Sequence, residues 1–107
     1  METSLSLMLT AVNAGKLSLD RLVEMMHTAP AAIFHTPAQP DTFIDIEPTA
    51  KRVIESGALE TKCGWTPFDG MELCGKVVSV VLRGGEIMRN GNFASEHGSG
   101  QVVLPLA

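Results

Sequence analysis

Residues 64–70 read Gly-Trp-Thr-Pro-Phe-Asp-Gly, and this stretch separates a part of the chain with helical periodicity from a part with strand periodicity. The glycines at its two ends permit positive φ angles, while Pro67 fixes its own φ and holds Thr66 extended. This composition predicts a turn. The two sides of the turn are therefore expected to form different kinds of structure.

Trp65, the chain's single tryptophan, lies inside this turn. An aromatic side chain in a short Gly/Pro segment usually fills the seam between two packed layers. We therefore expect Trp65 to be largely buried between the N-terminal helices and a hairpin over residues 76–89. On this expectation Trp65→Ala costs about 3 to 5 kcal/mol. Contact with a ligand is the less favoured alternative.

Two or three helices are predicted ahead of the turn. The first covers residues 2–13 and ends at Gly15, because apolar side chains recur there at the spacing of one helical face. The residues of that face are Leu5, Met8, Leu9 and Val12.

A second helix is predicted after Ser18, which is a good N-cap, with Leu17 and Leu22 as a hydrophobic staple. Its expected buried stripe consists of Leu19, Leu22, Val23 and Met26. Pro30 suits the first turn of a short third helix over residues 30–34.

A proline-rich linker over residues 36–41 follows the helices. The predicted division of the chain is therefore 1–35 for the helices, 36–41 for the linker, and 42–107 for strands with a C-terminal tail. Apolar alternation predicts a strand over residues 42–47, which Pro48 would end. The pattern of residues 51–55 fits either a strand or a helical turn, and the family resemblance described below favours a strand.

The most apolar stretch is Lys76–Leu82, with four valines and a leucine on both faces. This pattern predicts a strand buried on both sides. Gly84-Gly85 predicts a two-residue hairpin loop with residues 86–89 as the partner strand, and Asn90-Gly91 predicts the next turn. Residues 102–104 are expected either to dock as a short edge strand or to stay mobile.

Composition limits the function classes. The chain has 107 residues and a net charge of −4, which fits one modest domain or the tail of a larger one. Nothing in the charge pattern indicates a nucleic-acid or membrane surface. A cytoplasmic location is expected, with Cys63 and Cys74 reduced and buried.

The histidines and cysteines do not have the spacing of a zinc site. His27, His35 and His97 are far apart, and eleven residues separate Cys63 from Cys74. No C-x-x-C or H-x-H pair occurs. Glu24 and His27 can share a helix face, but such exposed pairs are usually only surface charge. We predict no catalytic, cofactor-binding or metal-binding residue.

The central turn also carries a family resemblance. Residues 65–73 (WTPFDGMEL), 75–78 (GKVV) and 81–84 (VLRG) resemble the C-terminal end of dihydroorotases, whose pattern is W-T-P-F-D/E-G, a hydrophobic strand, and an L-R-G turn. The match extends back through residues 34–42. The chain looks most like the dihydroorotase domain of the multifunctional polypeptide that also carries carbamoyl-phosphate synthetase and aspartate transcarbamylase.

The resemblance implies an α+β fold: the closing helices of an amidohydrolase barrel, followed by antiparallel strands of a small composite β-sandwich. Residues 2–5 resemble the end of the family's P-G-x-E-T motif, with Met1 at its hydrophobic position. The chain is therefore expected to start just beyond the active site. Ala29 departs from the family pattern, which has asparagine there.

The resemblance further implies zinc-assisted, reversible closure of N-carbamoyl-aspartate to dihydroorotate by the parent enzyme. The family's metal ligands all precede the matching segment, so this chain is expected to hold no cofactor, to be inactive alone, and to serve as scaffold. Its expected partner is the missing N-terminal barrel, with self-association possible. Two alternatives stay open: a freestanding module that docks on another pyrimidine-pathway enzyme, and an independent small enzyme.

Overall fold

The computed structural model describes residues 2–107, and Met1 lies outside that range. The helices are α1 (Ser4–Asn13), α2 (Leu19–Val23) and α3 (Ala29–Ile33), with a π-helical turn at Glu24–Thr28 between the last two. The strands are β1 (Phe43–Val53), β2 (Glu72–Leu82), β3 (Gly85–Arg89) and β4 (Asn92–Phe93). A 3₁₀ turn, Ser56–Ala58, follows β1. The predicted α+β class is confirmed.

The described chain divides into two compact units. Unit 1 comprises residues 2–18 and 47–76, and unit 2 comprises residues 19–46 and 77–107. Each unit therefore combines a helical segment with part of β1 and part of β2. The division into residues 1–35, 36–41 and 42–107 refers to a larger protein and stays a prediction.

Helix α1 begins and ends close to where the sequence predicts. Gly15 follows it with a φ of 70°, a conformation that suits glycine after a helix. The amide of Gly15 donates to the carbonyl of Val12, and that of Lys16 donates to Ala11, both at 3.0 Å. This pair of hydrogen bonds is a Schellman end, and it satisfies carbonyls that the helix leaves open.

The second helical segment differs from its prediction. α2, the π-helical turn and α3 follow one another directly, and Pro30 lies in the first turn of α3. Leu22 is buried, whereas Leu19, Val23 and Met26 are about half exposed. The predicted buried stripe is therefore wrong for three of its four residues, because unit 2 covers Leu22 alone.

The four strands form one sheet in the order β1-β2-β3-β4. The amide of Ile54 donates to Met71, and the Ser79 hydroxyl donates to Asp45. Numbering rises along one strand as it falls along the other, so β1 and β2 run antiparallel. β1 lies at the edge and continues through Pro48. The prediction that Pro48 ends the strand is wrong, because an edge strand tolerates a missing amide.

The hairpin between β2 and β3 turns one residue earlier than predicted. Leu82 pairs with Gly85, so the loop is Arg83-Gly84 rather than Gly84-Gly85. Both loop residues have positive φ, 49° and 79°, as this tight hairpin loop requires. β3 then carries a bulge opposite Val80 and Val81. The next turn, Asn90-Gly91, is confirmed, since β3 and β4 pair on either side of it.

Strand β2 is less buried than its sequence predicts. Leu73 and Ser79 are buried, while Val77, Val78, Val80, Val81 and Leu82 are only partly covered. The prediction of burial on both faces is therefore wrong for this chain. The buried polar side chain, Ser79, donates its hydroxyl to Asp45 at 2.7 Å, which satisfies it.

Trp65 is 63% exposed, and the prediction that it fills the seam between two layers is wrong. The turn is held through its backbone instead. The amide of Gly70 donates to the carbonyl of Ile54 at 2.8 Å, and the amide of Ile54 donates to Met71 at 2.9 Å. Ile54, whose backbone makes both of these hydrogen bonds, is buried.

The segment after β4 contains no further helix or strand among the described residues. Residues 102–104 therefore do not form the edge strand that was one of two alternatives. In residues 2–107, no helix has both the length and the apolar character needed to cross a membrane.

Candidate functional site

The three histidines lie in three different kinds of structure. His27 belongs to the π-helical turn, His35 follows α3 with a positive φ of 50°, and His97 lies in the C-terminal segment. All three side chains are exposed. Within residues 2–107 no three side chains of the His, Cys, Asp and Glu types lie close enough to hold a metal ion.

Glu24 and His27 are both exposed, and the nearest charged partner of Glu24 is an arginine. The Arg21 guanidinium donates to the Glu24 carboxylate at 2.7 Å. An exposed pair of this kind contributes little to stability. The geometry therefore matches the interpretation of Glu24 as surface charge.

Both cysteines are free, but neither is buried as predicted. Cys63 is exposed, and a hydrogen bond with the Thr61 hydroxyl at 3.1 Å lowers the pKa of its thiol. Cys74 is partly covered, with its sulfur 3.5 Å from the carbonyl oxygen of Thr49. Their positions follow the turn and the strand edge, both of which are open to solvent.

Ser56 organises the family motif in unit 1. Its amide donates to the Asp69 carboxylate at 2.7 Å, and its hydroxyl accepts from the amide of Thr66 at 3.3 Å. The hydrogen bond from the Ser56 amide lowers the pKa of Asp69, with a further contribution from the Ser56 hydroxyl. The aspartate of the motif thus has a structural role in closing the turn, which the sequence analysis did not assign.

A second set of contacts in unit 1 fixes α1 against the strands. The amide of Cys74 donates to the Thr10 hydroxyl at 2.9 Å, and the Asn13 amide group donates to the carbonyl of Pro48 at 2.7 Å. Gly75 has a φ of +112°, and a Cβ added to it would lie 2.5 Å from the Cβ of Leu9. Only glycine permits the helix to lie this close to β2.

In unit 2 the L-R-G turn attaches to the end of the linker. The amide of Arg83 donates to the Thr42 hydroxyl at 3.0 Å, and the amide of Gly84 donates to the carbonyl of Asp41 at 2.8 Å. The turn therefore fixes where the proline-rich segment enters β1. The contacts described in both units are hydrogen bonds and close packing. Their effect is to fix the position of the backbone.

Sequence comparisons find relatives that are much longer than this chain. It is 46% identical over 100 residues to the multifunctional protein pyr1-3 of Dictyostelium discoideum, covering 94% of the chain and 4% of that protein. It is 39% identical to the multifunctional protein CAD of Squalus acanthias, covering 96% of the chain and 5% of that protein. A dihydroorotase of Pyrococcus furiosus is 30% identical, over 96% of this chain and 26% of that protein. No family model matches the chain.

Two solved structures share the fold. An L-hydantoinase from Arthrobacter aurescens matches with a TM-score of 0.87 and 32% identity, over 96% of this chain and 25% of that one. An inactive dihydroorotase-like domain of a CAD-like multifunctional protein from Chaetomium thermophilum matches with a TM-score of 0.75 and 28% identity, over 85% and 26%. The chain thus spans about a quarter of these proteins.

These comparisons first define a class, the amidohydrolase-type proteins to which dihydroorotases and hydantoinases belong. Within that class, the chain is homologous to the C-terminal part of the dihydroorotase domain, including the one found in the multifunctional proteins. The resemblance that residues 64–84 carry is therefore confirmed.

Proposed function

We propose that this chain supplies the C-terminal scaffold of a dihydroorotase, and that it is inactive alone. The parent reaction is the zinc-assisted closure of N-carbamoyl-aspartate in pyrimidine biosynthesis. The homology to dihydroorotases supports the parent assignment. The wide separation of His27, His35 and His97 supports the proposal that the metal ligands come from another part of the enzyme.

The observation that carries the scaffold proposal is the amount of uncovered apolar surface. Buried hydrophobic side chains among the described residues are Leu9, Leu22, Ile54 and Leu73. Among residues 2–107, sixteen large hydrophobic side chains are exposed, four times as many as are buried. A surface of this kind fits a segment whose remaining contacts lie in a larger domain.

The exposed apolar side chains at the end of α3 indicate which partner would cover them. Ile33 and Phe34 are 69% and 68% exposed at the end of α3. We assign their cover to the rest of the dihydroorotase domain, because the chain spans only 26% of the Pyrococcus furiosus enzyme. Without that cover, the apolar face and the open edge of β1 favour self-association. A cytoplasmic location belongs to the same proposal.

A graft tests the proposal. The chain replaces the homologous 100 residues of the dihydroorotase domain in the Dictyostelium protein, and zinc content and cyclisation of N-carbamoyl-aspartate are measured. We expect a soluble, zinc-loaded domain that turns over substrate, whereas the chain alone does neither. Gly75→Ala in the graft should impair folding through Leu9, while Gly57→Ala, which meets nothing within 4 Å, serves as the matched control.

Two results would overturn the proposal. Stoichiometric zinc or cyclisation by the chain alone would show an independent small enzyme. A graft that fails to fold, while the chain alone is a stable monomer that captures an intact pyrimidine-pathway enzyme, would favour the freestanding interaction module.

A further inference from the structure

The C-terminal segment is attached to the rest of unit 2 at two points, although it has no regular structure. The amide of Leu106 donates to the carbonyl of His35 at 2.7 Å. The Arg83 guanidinium donates to the carbonyl of Ser99 at 2.8 Å. Between these two points, residues 102–104 line a groove of about 370 Å³.

The opposite wall of this groove is fixed. It is formed by the linker residues 37 and 39–42 and by Arg83. The linker is held to the hairpin turn by the hydrogen bonds from Arg83 to Thr42 and from Gly84 to Asp41. One wall is therefore tied into the sheet, whereas the other is a chain segment held at its ends.

The attachment also bears on the linker. His35 has a positive φ of 50°, which is uncommon for a residue with a side chain and persists where neighbouring contacts impose it. The carbonyl of His35 is the acceptor for Leu106. The C-terminal segment thus contacts the residue directly before the linker, whose backbone conformation is uncommon for a residue with a side chain.

The segment buries little of itself. Val102, Leu104 and Leu106 are 87%, 72% and 61% exposed, and Val103 is 44% exposed. A segment held by two hydrogen bonds, with most of its apolar surface still in water, opens at low cost. The two hydrogen bonds define one geometry for the segment, but they contribute little free energy to keeping it there.

We propose that residues 99–106 form an intramolecular strap, which forms one wall of the groove and connects His35 to the hairpin turn, and which opens by releasing Arg83 and His35. Arg83 thereby acquires a role beyond its turn: its backbone shapes the loop and its side chain holds the strap.

Hydrogen exchange of the full chain tests the strap. We expect the amide of Leu106 to exchange about tenfold more slowly than in a free peptide of the same sequence, because it donates to the carbonyl of His35 and exchanges only when that bond opens. Arg83→Ala should remove most of this protection. Arg89→Ala is the matched control, since Arg89 lies in the same hairpin but pairs with Glu86, and it should leave the protection unchanged.

A second pair of variants leaves the body of unit 2 untouched. Leu106→Pro removes the donor amide and should shift the backbone NMR signals of residues 99–104 to those of the free peptide, while Leu106→Ala keeps the amide and should not. An unprotected Leu106 amide in the unmodified chain would overturn the proposal, as would equal protection in Arg83→Ala and Arg89→Ala. Protection that rises with protein concentration would assign the contact to a second copy instead. None of these measurements depends on the dihydroorotase proposal.

Discussion

Unit 1 and unit 2 differ in how much of their apolar content they bury themselves. Among residues 2–107, three of the four buried hydrophobic side chains, Leu9, Ile54 and Leu73, belong to unit 1, and Leu22 belongs to unit 2. By contrast, thirteen of the sixteen large exposed hydrophobic residues in the same range lie in unit 2, and three in unit 1. Unit 1 therefore has a small core of its own, whereas unit 2 leaves most of its large hydrophobic side chains exposed.

The largest effect is expected from truncating the core of unit 1. Leu9→Ala removes a side chain that is 1% exposed and should lower the free energy of unfolding by about 2 to 5 kcal/mol. Phe34→Ala, at a residue of unit 2 that is 68% exposed, should change it by less than about 0.5 kcal/mol. Urea unfolding at one fixed protein concentration measures both. Equal losses of unfolding free energy in the two variants would contradict the claim that unit 1 has a core of its own and unit 2 does not.

Crowding the same core should cost somewhat less. Gly75→Ala places a Cβ 2.5 Å from that of Leu9, so α1 must shift, at a cost of about 1 to 3 kcal/mol. Gly57→Ala is the control in unit 1, because its Cβ meets nothing within 4 Å. The urea midpoints of the two variants measure the difference. A neutral Gly75→Ala would show that α1 does not lie this close to β2.

The ionisation of Asp69 should make the stability of unit 1 depend on pH in acid solution. Its pKa is lowered from an ordinary value of 3.8, mainly by the Ser56 amide. A depressed carboxyl pKa contributes stability above the ordinary value, and that contribution is lost as pH falls below 3.8 through the folded value. Asp69→Asn should remove this part of the pH dependence.

Ser56→Ala is the companion variant, because it keeps the backbone amide and removes only the hydroxyl. It should retain most of the acid dependence, since the amide is the larger cause of the shift. Urea midpoints measured over a series of pH values check both variants. An Asp69→Asn variant with an unchanged pH profile would contradict the assigned contact.

The smallest effect is expected at Trp65. Its side chain is 63% exposed, so Trp65→Ala should change the free energy of unfolding of the chain by less than about 0.5 kcal/mol. The indole fluorescence maximum should be that of a solvent-exposed tryptophan. A loss of several kcal/mol in the free energy of unfolding, together with a blue-shifted fluorescence maximum, would show that the indole is buried.

Local signals were predicted well because they depend on neighbours in sequence. Gly15 ends α1 through contacts within four residues, and Asn90-Gly91 sets its own turn. The errors involve the environment. Pro48 is tolerated because β1 is an edge strand, and Trp65 is 63% exposed although its turn composition predicts burial. Periodicity identifies apolar side chains but not what covers them.

The same distinction between local sequence and tertiary environment applies to the candidate functional site. The family motif identified the homology correctly, because it is a continuous run of residues. The role of Asp69 was missed, since its partner Ser56 lies thirteen residues away with no regular spacing to connect them. The contact between Arg83 and Ser99 likewise joins residues sixteen apart. Both roles follow from tertiary geometry.

Sedimentation of the chain over a concentration series tests the central claim most directly. The chain is measured alone and then mixed with the remaining part of the dihydroorotase domain of the Dictyostelium protein. We predict concentration-dependent association alone, and a one-to-one complex on mixing in which residues 19–34 become protected from hydrogen exchange. A concentration-independent monomer with a sharp, cooperative thermal transition, and with no complex on mixing, would contradict the account.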